Sequence, residues 1–134
     1  MEEFKYKELT YAIIGAAMEV HTQLGPGFPE EAYQKSLEIE LRERGFSVSP
    51  QHRIVVEFKG QQVAEYFLDI LVEGKVVAEL KAVERLAPVH HAQVVSYLRA
   101  SGLEVGLLLN FGEVSLRHKR IVVSERYKKS DKSV

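Results

Sequence analysis

Three ionisable side chains in apolar surroundings are the first candidates for chemistry. Glu79 and Lys81 stand two residues apart inside KVVAELKAVE, Lys75 to Glu84, a run that otherwise reads as a buried strand. Side chains alternate between the faces of a strand, so this carboxylate and ammonium point the same way. Asp69 lies in EYFLDILV, another run suited to burial. Two neighbouring carboxylates repel, and burying them unpaired is costly. A raised pKa, the ammonium of Lys81 or a divalent cation would each offset that cost. Hard oxygen ligands in a small cluster suit Mg²⁺ or Mn²⁺. A lone Glu-x-Lys strand is ordinarily a partly exposed ion pair, so the case rests on what joins it.

Whether Asp69 meets Glu79 depends on the hairpin loop between them. A two-residue loop, Glu73-Gly74, places Asp69 opposite Ala78 and turns it away from Glu79. A three-residue loop, Val72-Glu73-Gly74, pairs Leu71 with Lys75 and puts Asp69 opposite Val77, on the face of Glu79. The longer loop wants a left-handed residue at its third position, where Gly74 stands. The expected register is therefore the second, with Asp69, Glu79 and Lys81 on one face.

Glu30 is a fourth candidate. At about 100° per residue, Glu30, Leu37 and Leu41 fall close to one direction of a helix, with Tyr33 nearby. Glu31, Gln34, Lys35, Glu38 and Arg42 fall on the solvent side. A first-turn carboxylate is also favoured by the helix dipole, which by itself would account for Glu30. A later helix sets His90, Gln93 and Tyr97 on one face and Val94, Val95 and Leu98 on the apolar side. His90 and His91, adjacent on a helix, diverge and do not form a metal pair.

The elements that must position these groups follow from periodicity. Lys7 to Leu24 reads as a helix stopped by GPGF, Gly25 to Phe28. Pro29 sits in the first turn of the next helix, which runs to about Arg44 and ends at Gly45. RIVVEF and VAEYFLDILV are strands joined by KGQQ, and KVVAELKAV follows. PVHHAQVVSYLRAS is a helix opened by Pro88 and closed by Gly102. EVGLLLNF suits a strand covered on both faces, and SLRHKRIVV a last strand. The order ααβββαββ predicts an α/β fold: a central mixed sheet, an antiparallel meander first, and a helical crossover.

The chain has 134 residues, which fits one domain over 1–134, with about 124–134 a basic, frayed tail. It has no cysteine, which excludes disulfides, thiolate zinc sites and iron–sulfur clusters and fits a reducing cytoplasm. The N-terminal apolar run is broken by Glu19 and His21, so neither a signal peptide nor a membrane span is expected. Net charge is −1, so any nucleic-acid surface must be local. Lys81, Arg85, Arg99, Arg117, His118, Lys119, Arg120 and the C-terminal lysines are its candidates.

Taken together, Asp69 and Glu79-Leu80-Lys81 resemble the D…(D/E)-x-K core of the PD-(D/E)XK nuclease superfamily. Glu30 resembles the acidic residue that many members carry on a helix before the sheet. Gln93-x-x-x-Tyr97 resembles the Q-x-x-x-Y element of the RecB-like branch. GFPEEAY, Gly27 to Tyr33, is similar to the signature of the small prokaryotic GxxExxY proteins, a family of this superfamily. The likeness runs from about Ile13 to Val123. Leu68 stands where the superfamily has its proline.

The resemblance implies a restriction-endonuclease-like core with a divalent-metal site. Asp69, Glu79 and the Leu80 carbonyl would hold Mg²⁺ or Mn²⁺, with Glu30 binding a second ion or orienting its waters. Lys81 would orient or deprotonate a water, or stabilise developing charge. Gln93, Tyr97 and Tyr33 would contact substrate or shape the pocket. The expected function is a cytoplasmic, metal-dependent nuclease acting on nucleic acid, most naturally DNA, with a homodimer an open possibility. The competing reading is a catalytically silent nucleic-acid- or protein-binding module on the same fold.

Overall fold

The computed structural model describes residues 5–123, so the tail expected at about 124–134 lies outside the described residues. Its elements are α1 (Lys7–Leu24), α2 (Glu30–Glu43), β1 (Val48–Phe58), β2 (Gln61–Val72), β3 (Val76–Lys81), α3 (Pro88–Ser101), β4 (Val105–Asn110) and β5 (Arg117–Val122). The order is the expected ααβββαββ. The five strands form one mixed sheet in the order β1-β2-β3-β4-β5. Among the described strands only β3 and β4 are parallel, joined by the α3 crossover.

Helices cover both faces. In α1, Ile13, Ala16, Ala17 and Val20 follow helical spacing and make one buried stripe. Together with Tyr33, Leu37 and Leu41 of α2 they pack over Ile70, Val72, Ala78, Leu80, Leu107 and Leu109. On the other face, Val94 and Leu98 of α3 pack with Leu71, Val77, Leu108 and Ile121. Every residue of β4 is buried, which explains its unbroken apolar run. Among the described residues, no helix is long and apolar enough to cross a membrane.

Two boundaries differ from expectation. β1 starts at Val48 rather than Arg53, because its polar first half is carried by pairing with β2 as far as Val48↔Val72. The β1–β2 turn shrinks to Lys59-Gly60, both left-handed (φ 52° and 77°), as a tight hairpin turn requires.

The β2–β3 hairpin follows neither expected register. Val72 pairs with Val76, Leu71 with Val77 and Ile70 with Ala78. The loop is therefore Glu73-Gly74-Lys75, with Glu73 and Gly74 both left-handed (φ 56° and 64°). Glu73 is fixed there by Ser47: its N–H donates to the Ser47 carbonyl at 2.8 Å, and the Ser47 N–H donates to its carboxylate at 2.6 Å. The Lys75 N–H closes the turn on the Val72 carbonyl at 3.0 Å. Continued by one step, this register sets Asp69 directly opposite Glu79.

Candidate active site

The β2–β3 ladder stops at Ile70↔Ala78, and the two carboxylates take its place. The Asp69 N–H donates to Glu79 Oε1 at 2.9 Å, and the Leu80 N–H donates to Asp69 Oδ2 at 2.9 Å. Each side chain thus satisfies a main-chain donor that the opposite strand no longer reaches. A residue's N–H and C=O leave a strand on the same side, so the Leu80 carbonyl is directed toward this same gap. β2 also changes face here. Leu68 packs with the α3 cluster, whereas Ile70, two residues on, packs under α1 and α2. Opposite Asp69 along β1, Gln51 is left-handed at φ 51°, so both strands are irregular beside the carboxylate.

Glu79 is only 4% exposed and lies on the α3 face, as Val77 does. Burial, and then the like charge of Asp69, push its pKa up to about 8, against the opposing Asp69 N–H and Lys81. Asp69 is also raised, chiefly by burial and further by the charge of Glu30, against the Leu80 N–H and Lys81. The two carboxyl groups lie within hydrogen-bonding reach of one another, so they titrate as a coupled pair, both raised by burial. Lys81, half-buried at the end of β3, acts electrostatically on both. The structure brings Asp69 and Glu79 together and sets Lys81 within electrostatic reach of both.

Glu30 is placed differently. It is exposed in the first turn of α2, whereas Tyr33, Leu37 and Leu41 on its stripe are buried. Glu30 opens α2 ahead of Tyr33, the first buried residue of the stripe, so the stripe runs past the edge of what it covers. Glu30 still reaches Asp69 electrostatically from the rim. Among the described residues, no three His, Cys, Asp or Glu side chains converge closely enough to hold an ion together. Glu30 therefore stands apart from the Asp69–Glu79 pair.

Tyr33 corrects the substrate-contact expectation. It is fully buried and stacked on Phe111 with ring centroids 4.7 Å apart. Its hydroxyl donates to the Gly25 carbonyl at 2.5 Å and accepts from the Phe28 N–H at 3.1 Å. It locks the GPGF turn between α1 and α2 and is spent on that. Gln34, assigned to the solvent side, instead donates to the Asp69 carbonyl at 3.0 Å and accepts from the Gln51 amide at 3.3 Å. It ties α2 to the irregular point of the sheet, and no periodicity signal marks it.

From α3, Tyr97 faces the pair. Burial, then Glu79, Tyr66 and Asp69, raise its phenol pKa, against a hydrogen bond with Gln93. Gln93 Oε1 is buried with no hydrogen-bond partner among the described residues. Tyr66 of β2 completes an aromatic pair with Tyr97 at 5.6 Å between centroids, a neighbour that the strand pattern did not single out. His90 is used locally: its Nδ1 accepts the Ala87 N–H at 2.9 Å at the start of α3.

Asn110 is the other residue that sequence reasoning passed over. It is level with Lys81 across the parallel β3–β4 ladder and fully buried. Its Oδ1 accepts from the N–H groups of Val83 (3.0 Å) and Gly112 (3.1 Å). Its Nδ2 donates to the Val83 carbonyl (2.9 Å) and to Glu113 (2.8 Å). The Phe111 N–H donates to the Lys81 carbonyl at 2.8 Å. The segment leaving Lys81 is thus clamped to the end of β4. Gly112 is required there, since an added Cβ would sit 2.3 Å from the Val83 carbonyl oxygen. A polar residue closing a wholly apolar strand was the available signal.

The fold is a restriction-endonuclease-like mixed sheet flanked by helices, and the chain belongs to the PD-(D/E)XK nuclease superfamily, whose family model matches residues 7–121. Its fold is also that of the crystal structure of SSO0001, at 16% identity and a TM-score of 0.56, covering 71% of this chain and 51% of that one. This chain therefore spans about half the length of that protein. A weaker likeness is to an alkaline exonuclease (LHK-Exo) from Laribacter hongkongensis, at 13% identity and a TM-score of 0.40, covering 90% of this chain and 73% of that one. No curated protein matches the chain significantly.

Proposed function

We propose that this chain is a divalent-metal-dependent nuclease that hydrolyses phosphodiester bonds in DNA, and that its nearer kin are the GxxExxY proteins. The observation that carries the reading is the Asp69–Glu79 pair filling a break in the ladder, with Lys81 two residues on. Two carboxylates and the Leu80 carbonyl are hard oxygen donors, and Mg²⁺ is commonly held by one or two carboxylates while keeping several waters. The donor set fits Mg²⁺ or Mn²⁺. A cation would also relieve the repulsion that otherwise keeps a proton on the pair. The chemistry such an ion supplies is polarisation of the phosphodiester and a more acidic water.

The chain's own residues would do the rest. Lys81, held by the Asn110 clamp, orients the water or neutralises charge developing on the phosphoryl oxygens. Tyr97, its phenol raised in pKa and therefore protonated, donates to a phosphate oxygen. Gln93 offers an unpaired acceptor to the water or the substrate. Glu30 adds negative charge at the rim, where it orients the outer waters.

The test is cleavage of single-stranded, duplex and branched DNA and of RNA in Mg²⁺ and Mn²⁺, with Lys81→Ala alongside. Cleavage of DNA that needs the metal and falls at least about 100-fold in the variant is expected. Full activity in EDTA would rule the mechanism out. Tight binding without cleavage would instead favour a silent binding module.

A further inference from the structure

The structure sorts the dispersed basic residues into a site. Arg120 lies on the α1/α2 face, and its guanidinium donates to the Lys5 carbonyl. Arg99 lies in the last turn of α3, at the end away from Lys81. Arg85, Arg117, His118 and Lys119 instead gather, with Leu86 and Glu113, around one groove of about 380 Å³.

Register places this groove relative to the carboxylates. Lys81 is level with Asn110 and Asn110 with Arg117, while Glu79 is level with Leu108 and Leu108 with Lys119. Strands lie about 4.8 Å apart, so Arg117 and Lys119 sit roughly 10 Å from Lys81 and Glu79 along the sheet. Arg117 and Lys119 alternate onto the face of Ile121, and Glu79 and Lys81 onto that of Val77, and both apolar residues belong to the α3 cluster. The clamped segment from Ala82 to Leu86 runs between the two places and carries Arg85, exposed. Glu113 is matched by Arg117 at 3.6 Å. Among the described residues, neither Arg85 nor Lys119 has an ion-pair partner.

We propose that this groove seats a backbone phosphate of the polynucleotide beyond the scissile position, with Arg85 and Lys119 as its principal contacts. The inference rests on the nuclease reading above. It gives a chain of net charge −1 a local cationic surface on the reacting face. A phosphate in the groove would set the strand's path over the Ala82–Leu86 segment and hold its register against Lys81. Phosphate contacts position without reading sequence, so the groove contributes to affinity and not to base preference.

The test is fluorescence anisotropy of a labelled oligonucleotide in EDTA, which keeps it intact, over KCl from about 50 to 300 mM. The proteins are the parent, Arg85→Ala/Lys119→Ala, the charge-keeping Arg85→Lys/Lys119→Arg, and a control, Lys35→Ala/Arg42→Ala, which removes equal charge from α2. Loss of two phosphate contacts should raise Kd about 10-fold at 100 mM KCl and reduce the salt slope by about 1–2. The charge-keeping pair should restore the slope. A change no larger than in the control overturns the groove. Parent protein that binds with this pattern yet cuts nothing in Mg²⁺ supports the groove and sinks the chemistry. Parent that neither binds nor cuts overturns both.

Discussion

Replacing Glu79 by Gln tests the paired carboxylates directly. Gln Oε1 can keep the Asp69 N–H, and Gln Nε2 can donate to the Asp69 carboxylate, so both local bonds have an isosteric counterpart. What disappears is ionisation. In the parent, Glu79 titrates at about 8 when folded, against an ordinary value of 4.5. Below 4.5 the proton is bound in both states and the group has no effect on pH dependence. Between 4.5 and 8 the unfolded chain releases its proton while the folded chain keeps it. Folded protein then binds more protons, so stability falls as pH rises, and the loss is complete above the folded pKa. At about 1.4 kcal/mol per pH unit, the loss over that window is on the order of 4 kcal/mol.

Urea melts at pH 5, 6, 7 and 8 read this directly. The parent should lose stability steadily over the series, and Glu79→Gln should lose markedly less, keeping only the slope left by the raised Asp69 carboxyl, and be the more stable of the two at pH 8. Mg²⁺ adds a second arm. A ligand that binds only the folded state at ten times its Kd stabilises by about 1.4 kcal/mol. That gain should appear in the parent at pH 8, where a cation replaces the retained proton, and be absent in the variant. Equal pH slopes in the two proteins would refute the account of the pair, whatever the outcome for activity.

Asn110→Ala should cost on the order of 2–3 kcal/mol, because it strands the Val83 N–H, the Val83 carbonyl and the Gly112 N–H at a partly buried place. Cleavage should fall with it, through kcat more than KM, since the clamp holds the exit from Lys81; a loss below about 1 kcal/mol in urea would deny the clamp. Tyr33→Phe removes the hydroxyl between the Gly25 carbonyl and the Phe28 N–H and should cost about 1–3 kcal/mol. Its signature is faster amide exchange at Phe28; a variant with unchanged melting and exchange would deny the hydroxyl its hold on the turn.

The sequence carried the site's parity but not its distances. The expected hairpin register paired Leu71 with Lys75, whereas Leu71 pairs with Val77. That error is two residues, a whole strand period, so Asp69 still shares the face of Glu79. The rejected two-residue loop was off by one, and it would have turned the carboxylate to the wrong layer. What parity could not give is that the pair replaces the ladder, because that depends on where the strands separate. Helical angles failed at Glu30 and Gln34 for a related reason. An angle says which way a side chain points, but the extent of the core decides whether anything lies there. At Glu30 the core has already ended, and at Gln34 the irregular strand carrying Asp69 reaches out to meet a side chain assigned to solvent. Asn110 is set by its contact to Val83, 27 residues away, and Tyr33 by its stack on the distant Phe111, neither of which a local window contains. Local pattern therefore located the candidate carboxylates and offered one signal at Asn110, a polar residue closing an apolar strand, while the partners that Gln34, Asn110 and Gly112 hold come only from the assembled fold.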